Sequence, residues 1–310
     1  MRPEDGVALA DGRIIVADQA HGLRLINADQ STRPFGRFAE AGYVHAPPRE
    51  AGPNGVALEP DGAHLLVADV FTGAIYRVNI ATEATELVYT HPFGVNTAVS
   101  DSSGAIWFTQ STENAAGPTS HPTLFEPFNS YAEDGALFRI PPPGADGRRG
   151  APRLVLDKLS FANGIAIDEA RGQLYLAETN KDRVTAYALS VQTGTLANPR
   201  VLASVMTPDN IELDGQGQLW AASPVQNAVV VVELASGKTR TFFRWHDPAS
   251  DRIVEGWLRR GTTREPRLDL LTPVVWGPLP GLVTGVILSP GRGPVYLSGL
   301  GDALVRLERD

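Results

Sequence analysis

Apolar residues recur along this chain in short β-rich runs separated by tight polar turns. The clearest runs are residues 11–18, 61–69, 103–109, 171–178, 216–222 and 292–298. Each begins at a turn containing glycine and continues into aliphatic and aromatic residues, as in Gly172-Gln173-Leu174-Tyr175-Leu176-Ala177. Their first residues are spaced by 50, 42, 68, 45 and 76 positions. The short spacings fit the period of a propeller blade, and the long ones call for insertions. A second set of apolar runs precedes the first, at 4–9, 54–58, 96–99, 163–167, 208–213 and 284–288. Third runs follow at 73–78, 136–140, 183–189 and 228–234, with fourth runs such as 85–89 and 200–205. Four strands in each of six units predict an all-β fold, a six-bladed β-propeller. No long amphipathic helix is expected, which argues against alternating βαβ units.

The pattern predicts a single domain over 1–310, with loop insertions at about 110–135 and 245–282. The first insertion carries His121, Phe125, Phe128 and Tyr131, and the second carries Trp245, His246, Trp257 and Trp276. Such aromatic loops either cover a pocket or shield blade edges. The first unit opens at Glu4, so blade six is either short or completed by part of 245–282.

Composition narrows the function. A net charge of −8 argues against general affinity for nucleic acid or anionic membrane. The absence of cysteine excludes disulfides, thiolate metal sites and cysteine nucleophiles. No apolar stretch is long enough to span a membrane and no signal core follows Met1, so the expectation is a cytoplasmic protein, monomer or dimer.

The candidate chemistry lies where the innermost strand of each blade begins, near the propeller axis. Counting back seven or eight residues from each of the six main runs reaches Glu4, Asn54, Asn96, Asn163, Asp209 and Thr284. All six carry a side-chain oxygen. An Asn or Asp before glycine is ordinarily a turn former, but one offset repeated six times points to a ring of hard ligands. Such a ring suits Ca2+, with two carboxylates to balance the charge; Mn2+ or Zn2+ are the other divalent candidates. No histidine or thiolate falls in the ring, which disfavours zinc.

Phe161-Ala162-Asn163-Gly164-Ile165-Ala166-Ile167 and Pro208-Asp209-Asn210-Ile211, each followed by its second run, resemble the paraoxonase, strictosidine-synthase-like and regucalcin/gluconolactonase superfamily. Across nearly the whole chain, this resemblance implies a six-bladed propeller with a catalytic calcium in its channel. Glu4, Asn96, Asn163 and Asp209 match the implied ligands, and Asn210 matches an additional ligand of paraoxonases. Asp5 resembles a ligand for a second, structural ion, but its partner position is occupied by Thr97. Asn54 stands where paraoxonases place a catalytic histidine, and Asp69, Val70 and Phe71 offer no second one. The stretch 297–301 also lacks the late glutamate of strictosidine synthase.

A metal with open positions polarises a carbonyl and stabilises the resulting oxyanion. The expected activity is therefore hydrolysis of a small lactone or related ester. Asp209 is the first candidate for base or nucleophile and Glu4 the second, while Asn54 and Thr284 could orient substrate or water. The alternatives are a non-hydrolytic biosynthetic enzyme and a metal-stabilised binding propeller. Of the six scattered histidines, His45 and His121 lie in loops near aromatic residues and are the two worth testing.

Overall fold

The computed structural model describes residues 2–47 and 50–309. Blade one is built from β1 (Gly6–Ala8), β2 (Ile14–Asp18), β3 (Gly22–Ile26) and β4 (Thr32–Phe35). Blade two holds β5 (Pro53–Leu58), β6 (His64–Asp69), β7 (Ala74–Asn79) and β8 (Thr85–Thr90). Blade three holds β9 (Ala98–Ser100), β10 (Ile106–Gln110), β11 (Gly135–Ile140) and β12 (Arg153–Leu159). Blade four comprises β13 (Ala162–Asp168), β14 (Gln173–Glu178), β15 (Arg183–Ser190) and β16 (Thr195–Ser204). Blade five comprises β17 (Ile211–Leu213), β18 (Gln218–Ser223), β19 (Ala228–Glu233) and β20 (Thr239–Arg244). Blade six has β21 (Val283–Leu288), β22 (Val295–Gly299) and β23 (Val305–Leu307). Each sheet is ordered sequentially, and each innermost strand touches the next, with β21 against β1. The result is a closed six-bladed β-propeller.

The burial pattern explains the sequence pattern. The second strand of each blade lies between two neighbouring sheets, so β2 is buried throughout and β6 nearly so. Such strands read as continuous apolar runs. The outermost strands, such as β8 and β20, are half-exposed and mix charge with apolar residues. A separate apolar cluster fills each seam between adjacent blades. Among the described residues the seam between blades six and one is the smallest, with Ile14, Val16 and Ile287 buried in it and Ala8, Ile26, Tyr296 and Leu304 packed against them.

The turn before each second strand needs a left-handed residue, and glycine supplies it, for example Gly62 (φ 66°) and Gly104 (φ 80°). In unit six the left-handed glycine is Gly291 (φ 66°), not Gly293, so the turn falls two residues earlier than the repeat alignment places it.

Two expectations are settled by the insertions. Blade six is three-stranded among the described residues, and residues 245–282 do not complete it. They form instead a helix, α3 (Pro248–Thr263), contrary to the expectation that no long helix is present; α1 (Ser120–Phe125) and α2 (Pro127–Ser130) lie in the first insertion. The start of α3 is fixed by Asp247, whose carboxylate accepts from the Ala249 and Ser250 amides, with Pro248 at the first helical position.

The two insertions pack together. Leu124 and Phe128 join Trp257 in one buried cluster with Val70, Phe71, Phe161, Met206 and Val225 from the propeller loops. Tyr131 donates its hydroxyl to the Arg260 and Glu265 carbonyls (3.0 and 2.8 Å), and Asn129 accepts from the Arg267 and Leu268 amides. Asn180 of blade four donates to Pro127 O and accepts from Arg267, both at 2.9 Å. The first insertion, the second and blade four are thereby fastened at one point, forming a roof over part of the axis.

Candidate active site on the propeller axis

The six residues chosen by offset do converge. Asn54 donates to Asn96 O (3.3 Å), and Thr284 donates its hydroxyl to Glu4 O (3.1 Å). Asn163 donates to Thr179 Oγ1 (3.1 Å), and Thr179 donates in turn to Pro208 O (2.8 Å), immediately before Asp209. Main-chain bonds link the blades at the same level: Gly55 N to Asn96 O, Gly164 N to Asp209 O and Asn210 N to Thr284 O. Glycine is required where these backbones close in. A Cβ on Gly164 would stand 2.7 Å from Asp209 O, and one on Gly285 would stand 2.9 Å from Glu4 O. The Asn-Gly and Thr-Gly pairs of blades four and six thus have a packing cause beyond turn propensity.

One step further along the strands lies a second level of side chains. Asn210 donates its amide to both oxygens of Glu4 (3.1 and 3.2 Å). Thr97 donates to Asn96 Oδ1 (3.0 Å) and contacts Asn210 Oδ1 (3.4 Å). Asn210 Oδ1 therefore faces Thr97, while its nitrogen braces Glu4. Asp5 accepts from the Val56 amide (2.9 Å) and opens with Glu212 onto the axial channel on that side.

The electrostatics are those of anions gathered out of water. Burial pushes the Glu4 carboxyl up to about 7, against the opposing pull of Arg2 and the Asn210 amide. Burial, then the Glu4 charge, raises Asp5 to about 8. Asp209 is raised well above the usual carboxylate range by burial and then by Glu4. Arg2, which the repeat pattern could not flag, lies in the field of Glu4, Asp69 and Asp209, its own pKa lowered by burial. Asn163 Oδ1 is buried without a partner. An orphaned amide oxygen beside crowded carboxylates is the donor set a hard divalent cation would satisfy, with Glu4, Asn96, Asn163 and Asp209 able to hold it.

A pH dependence follows from Glu4 and Asp5. Their folded-state pKa values exceed the ordinary 4.5 and 3.8, so the metal-free fold retains protons that the unfolded chain has released. Stability is full below about pH 4 and falls from there until pH reaches about 7 to 8, by up to about 1.4 kcal/mol per pH unit for each group. The metal-free protein is expected to melt at a higher temperature at pH 5 than at pH 8, with a smaller difference in Glu4→Gln. A melting temperature that rises over that range would contradict the assignment.

Above the ring, on the side of blades four to six, lies a cavity of about 60 Å³. Asp209 and Thr284 form its floor, and Phe125, Phe128, Trp257 and Leu271 of the insertions line it from the other side. His121 packs against Phe71 and Phe125 at ring-centroid distances of 5.3 and 5.2 Å, outside the ring of ligands. His45 is exposed and contacts only the Ala51 carbonyl among its described hydrogen-bond partners. Outside the axis, Glu59, Asp61 and His64 form an acidic cluster, but Arg77 already pairs with both of its carboxylates. Among the described residues no helix is long and apolar enough to cross a membrane.

Fold and site together define a closed six-bladed propeller with a carboxylate–amide ring on its axis beneath a roof of inserted helices. The chain belongs to the SMP-30/gluconolactonase/LRE-like family, whose pattern it matches over residues 89–246, half its length. That stretch contains Asn96, Asn163, Asp209 and Asn210. Among solved structures, a gluconolactonase from Xanthomonas campestris is similar with a TM-score of 0.63 at 19% identity, covering 98% of this chain and 85% of that one. A luciferin-regenerating enzyme is similar with a TM-score of 0.57 at 15% identity, covering 96% and 85%. At these identities the likeness concerns the fold. The adipocyte plasma membrane-associated protein Hemomucin of Drosophila melanogaster is 25% identical over 180 residues, 54% of this chain. The chain spans only 29% of that relative's length.

Proposed function

We propose that this propeller is a metal-dependent hydrolase of lactones or related esters, with Ca2+ the first candidate ion. The observation carrying the proposal is the placement of Asp209, which shares the axial ring with the orphaned Asn163 oxygen and also lines the roofed cavity. Glu4, Asn96, Asn163 and Asp209 would hold the ion, with Asn210 bracing Glu4 through its amide. When bound, the ion supplies a Lewis acid for a substrate carbonyl.

The remaining work falls to the chain. Asp209 takes a proton from water at its cavity-facing carboxylate as the water oxygen bonds to the carbonyl carbon. The ring C–O bond then breaks, the leaving oxygen takes up that proton, and a hydroxy acid is released. Asn54, held by the Asn96 carbonyl, orients substrate or water at the edge of the ring. The roof excludes bulk water, which strengthens each of these interactions. The family membership and the gluconolactonase neighbours support this class of reaction.

The test is a panel of lactones and aryl esters offered to metal-stripped protein, with calcium, manganese or zinc restored separately. Turnover is expected to be lost on stripping and to return best with calcium. No turnover of any member with any ion would sink the hydrolase reading.

A further inference from the structure

Where the two insertions meet blade four, a second cavity of about 370 Å³ shares no residue with the axial ring or with the roofed cavity above it. That size lies within the usual span of small-molecule sites, roughly 300–1,000 Å³. Its charged lining is Glu133, Lys181, Asp182, Arg264 and Arg267. Lys181 is matched by Glu133 at 3.2 Å. The two arginines are not matched. Among the described residues neither has a carboxylate at ion-pair distance, although the nearby Arg259 and Arg260 pair with Glu265 and Asp269.

Arg267 is the more demanding of the two. It is 2% exposed, its Nη2 donates to Asn180 Oδ1 (2.9 Å), and its Nε has no hydrogen-bond partner. Its guanidinium carbon stands 4.3 Å from the centroid of Trp257 and 5.0 Å from that of Tyr131. The Arg264 guanidinium stands 5.3 Å from the same tyrosine ring, with Nη2 donating to Tyr131 O (3.4 Å). Two cations thus gather on one ring, whose face attracts each without neutralising either. Asp182 accepts from the Thr207 amide (2.7 Å) and acts on Arg267 only through its field.

A buried charge with no counter-ion is costly. The planar fork of a guanidinium matches the paired oxygens of an oxyanion. A carboxylate satisfies one such fork, whereas the three terminal oxygens of a phosphate group can bridge two.

We infer that this cavity binds a small phosphate-bearing anion, its phosphate held between Arg264 and Arg267. The ligand sits where the first insertion, the second and blade four are fastened, so by mass action it stabilises the closed roof over Asp209. The assignment does not depend on the reaction proposed above.

The test is calorimetric titration of the full chain with inorganic phosphate and, separately, with glycerol 3-phosphate, at fixed ionic strength, with and without calcium. One anion per chain is expected in both metal states. Arg264 is exposed, so Arg264→Gln is expected to fold and to weaken binding about tenfold or more, as the loss of a charge-assisted hydrogen bond requires. Arg292→Gln, on an exposed turn of blade six, should leave affinity unchanged. Phosphate should also slow hydrogen exchange in 120–131 and 248–270 more than in the blades. Tighter binding of glycerol 3-phosphate marks the ligand as a phosphate ester, and tighter binding of inorganic phosphate marks it as the free ion. Three results would each overturn the assignment: no saturable binding, binding only when calcium is present, or equal affinity in Arg264→Gln and the wild type.

Discussion

Asparagine in place of Asp209 is expected to lower kcat by about 10²- to 10⁴-fold, the usual contribution of a positioned base. The substitution keeps the side chain's size and one oxygen for an ion, and removes the proton acceptor. The backbone is independently held, since Asp209 N donates to Ala222 O and Asp209 O accepts from Gly164 N. The variant also relieves repulsion, because burial and the Glu4 charge already disfavour a second anion there. The metal-free variant should therefore melt no lower than the wild type. Calorimetric titration with calcium separates lost chemistry from lost ion affinity. If Asp209→Asn turns over fully while binding calcium, Asp209 leaves the mechanism.

Trp257→Ala is the largest expected loss of stability, about 3–5 kcal/mol as for other buried aromatic truncations. Trp257 is fully buried in the roof. Its ring lies 5.6 Å from that of Phe128, and the Arg267 guanidinium sits 4.3 Å from its centroid. Alanine removes the packing and leaves Arg267, itself buried, without that face. Phenylalanine should recover much of the loss, because Trp257 Nε1 has no hydrogen-bond partner to forfeit. Urea denaturation measures the global effect, and hydrogen exchange shows whether the insertions open before the blades. A loss below about 1 kcal/mol would show that the insertions do not form a packed roof.

The blades were legible because a strand buried on both faces must be apolar along its whole length, as in residues 64–69 and 173–178. The ring was legible because a propeller repeats one geometry, so one offset recovers Glu4, Asn96, Asn163 and Asp209 together. What escaped was non-repeating. Helix α3 is mostly polar though amphipathic, with Trp257 its only fully buried large side chain, and as a single insertion between blades five and six it belongs to no repeat. Its Asp247-Pro248-Ala249-Ser250 start was the available signal, an N-cap followed by proline. Arg2 belongs to no repeat, and its place near the ring arises only on folding. The bond from Asn210 to Glu4 joins residues 206 positions apart, which no local pattern encodes.

The junction of the last blade with the first gives the site a mechanical meaning. Its apolar seam is the smallest of the six, yet Glu4 O accepts hydroxyls from both Thr284 and Ser298, and Gly299 N donates to Pro3 O. The residue whose carboxylate faces the ring is thus also the buckle of the circle through its carbonyl. Detaching blade one from blade six dismantles the anionic cluster in the same movement. Closure of the toroid and assembly of the axial cluster thus rest on the same contacts, and opening that junction is expected to disperse the cluster.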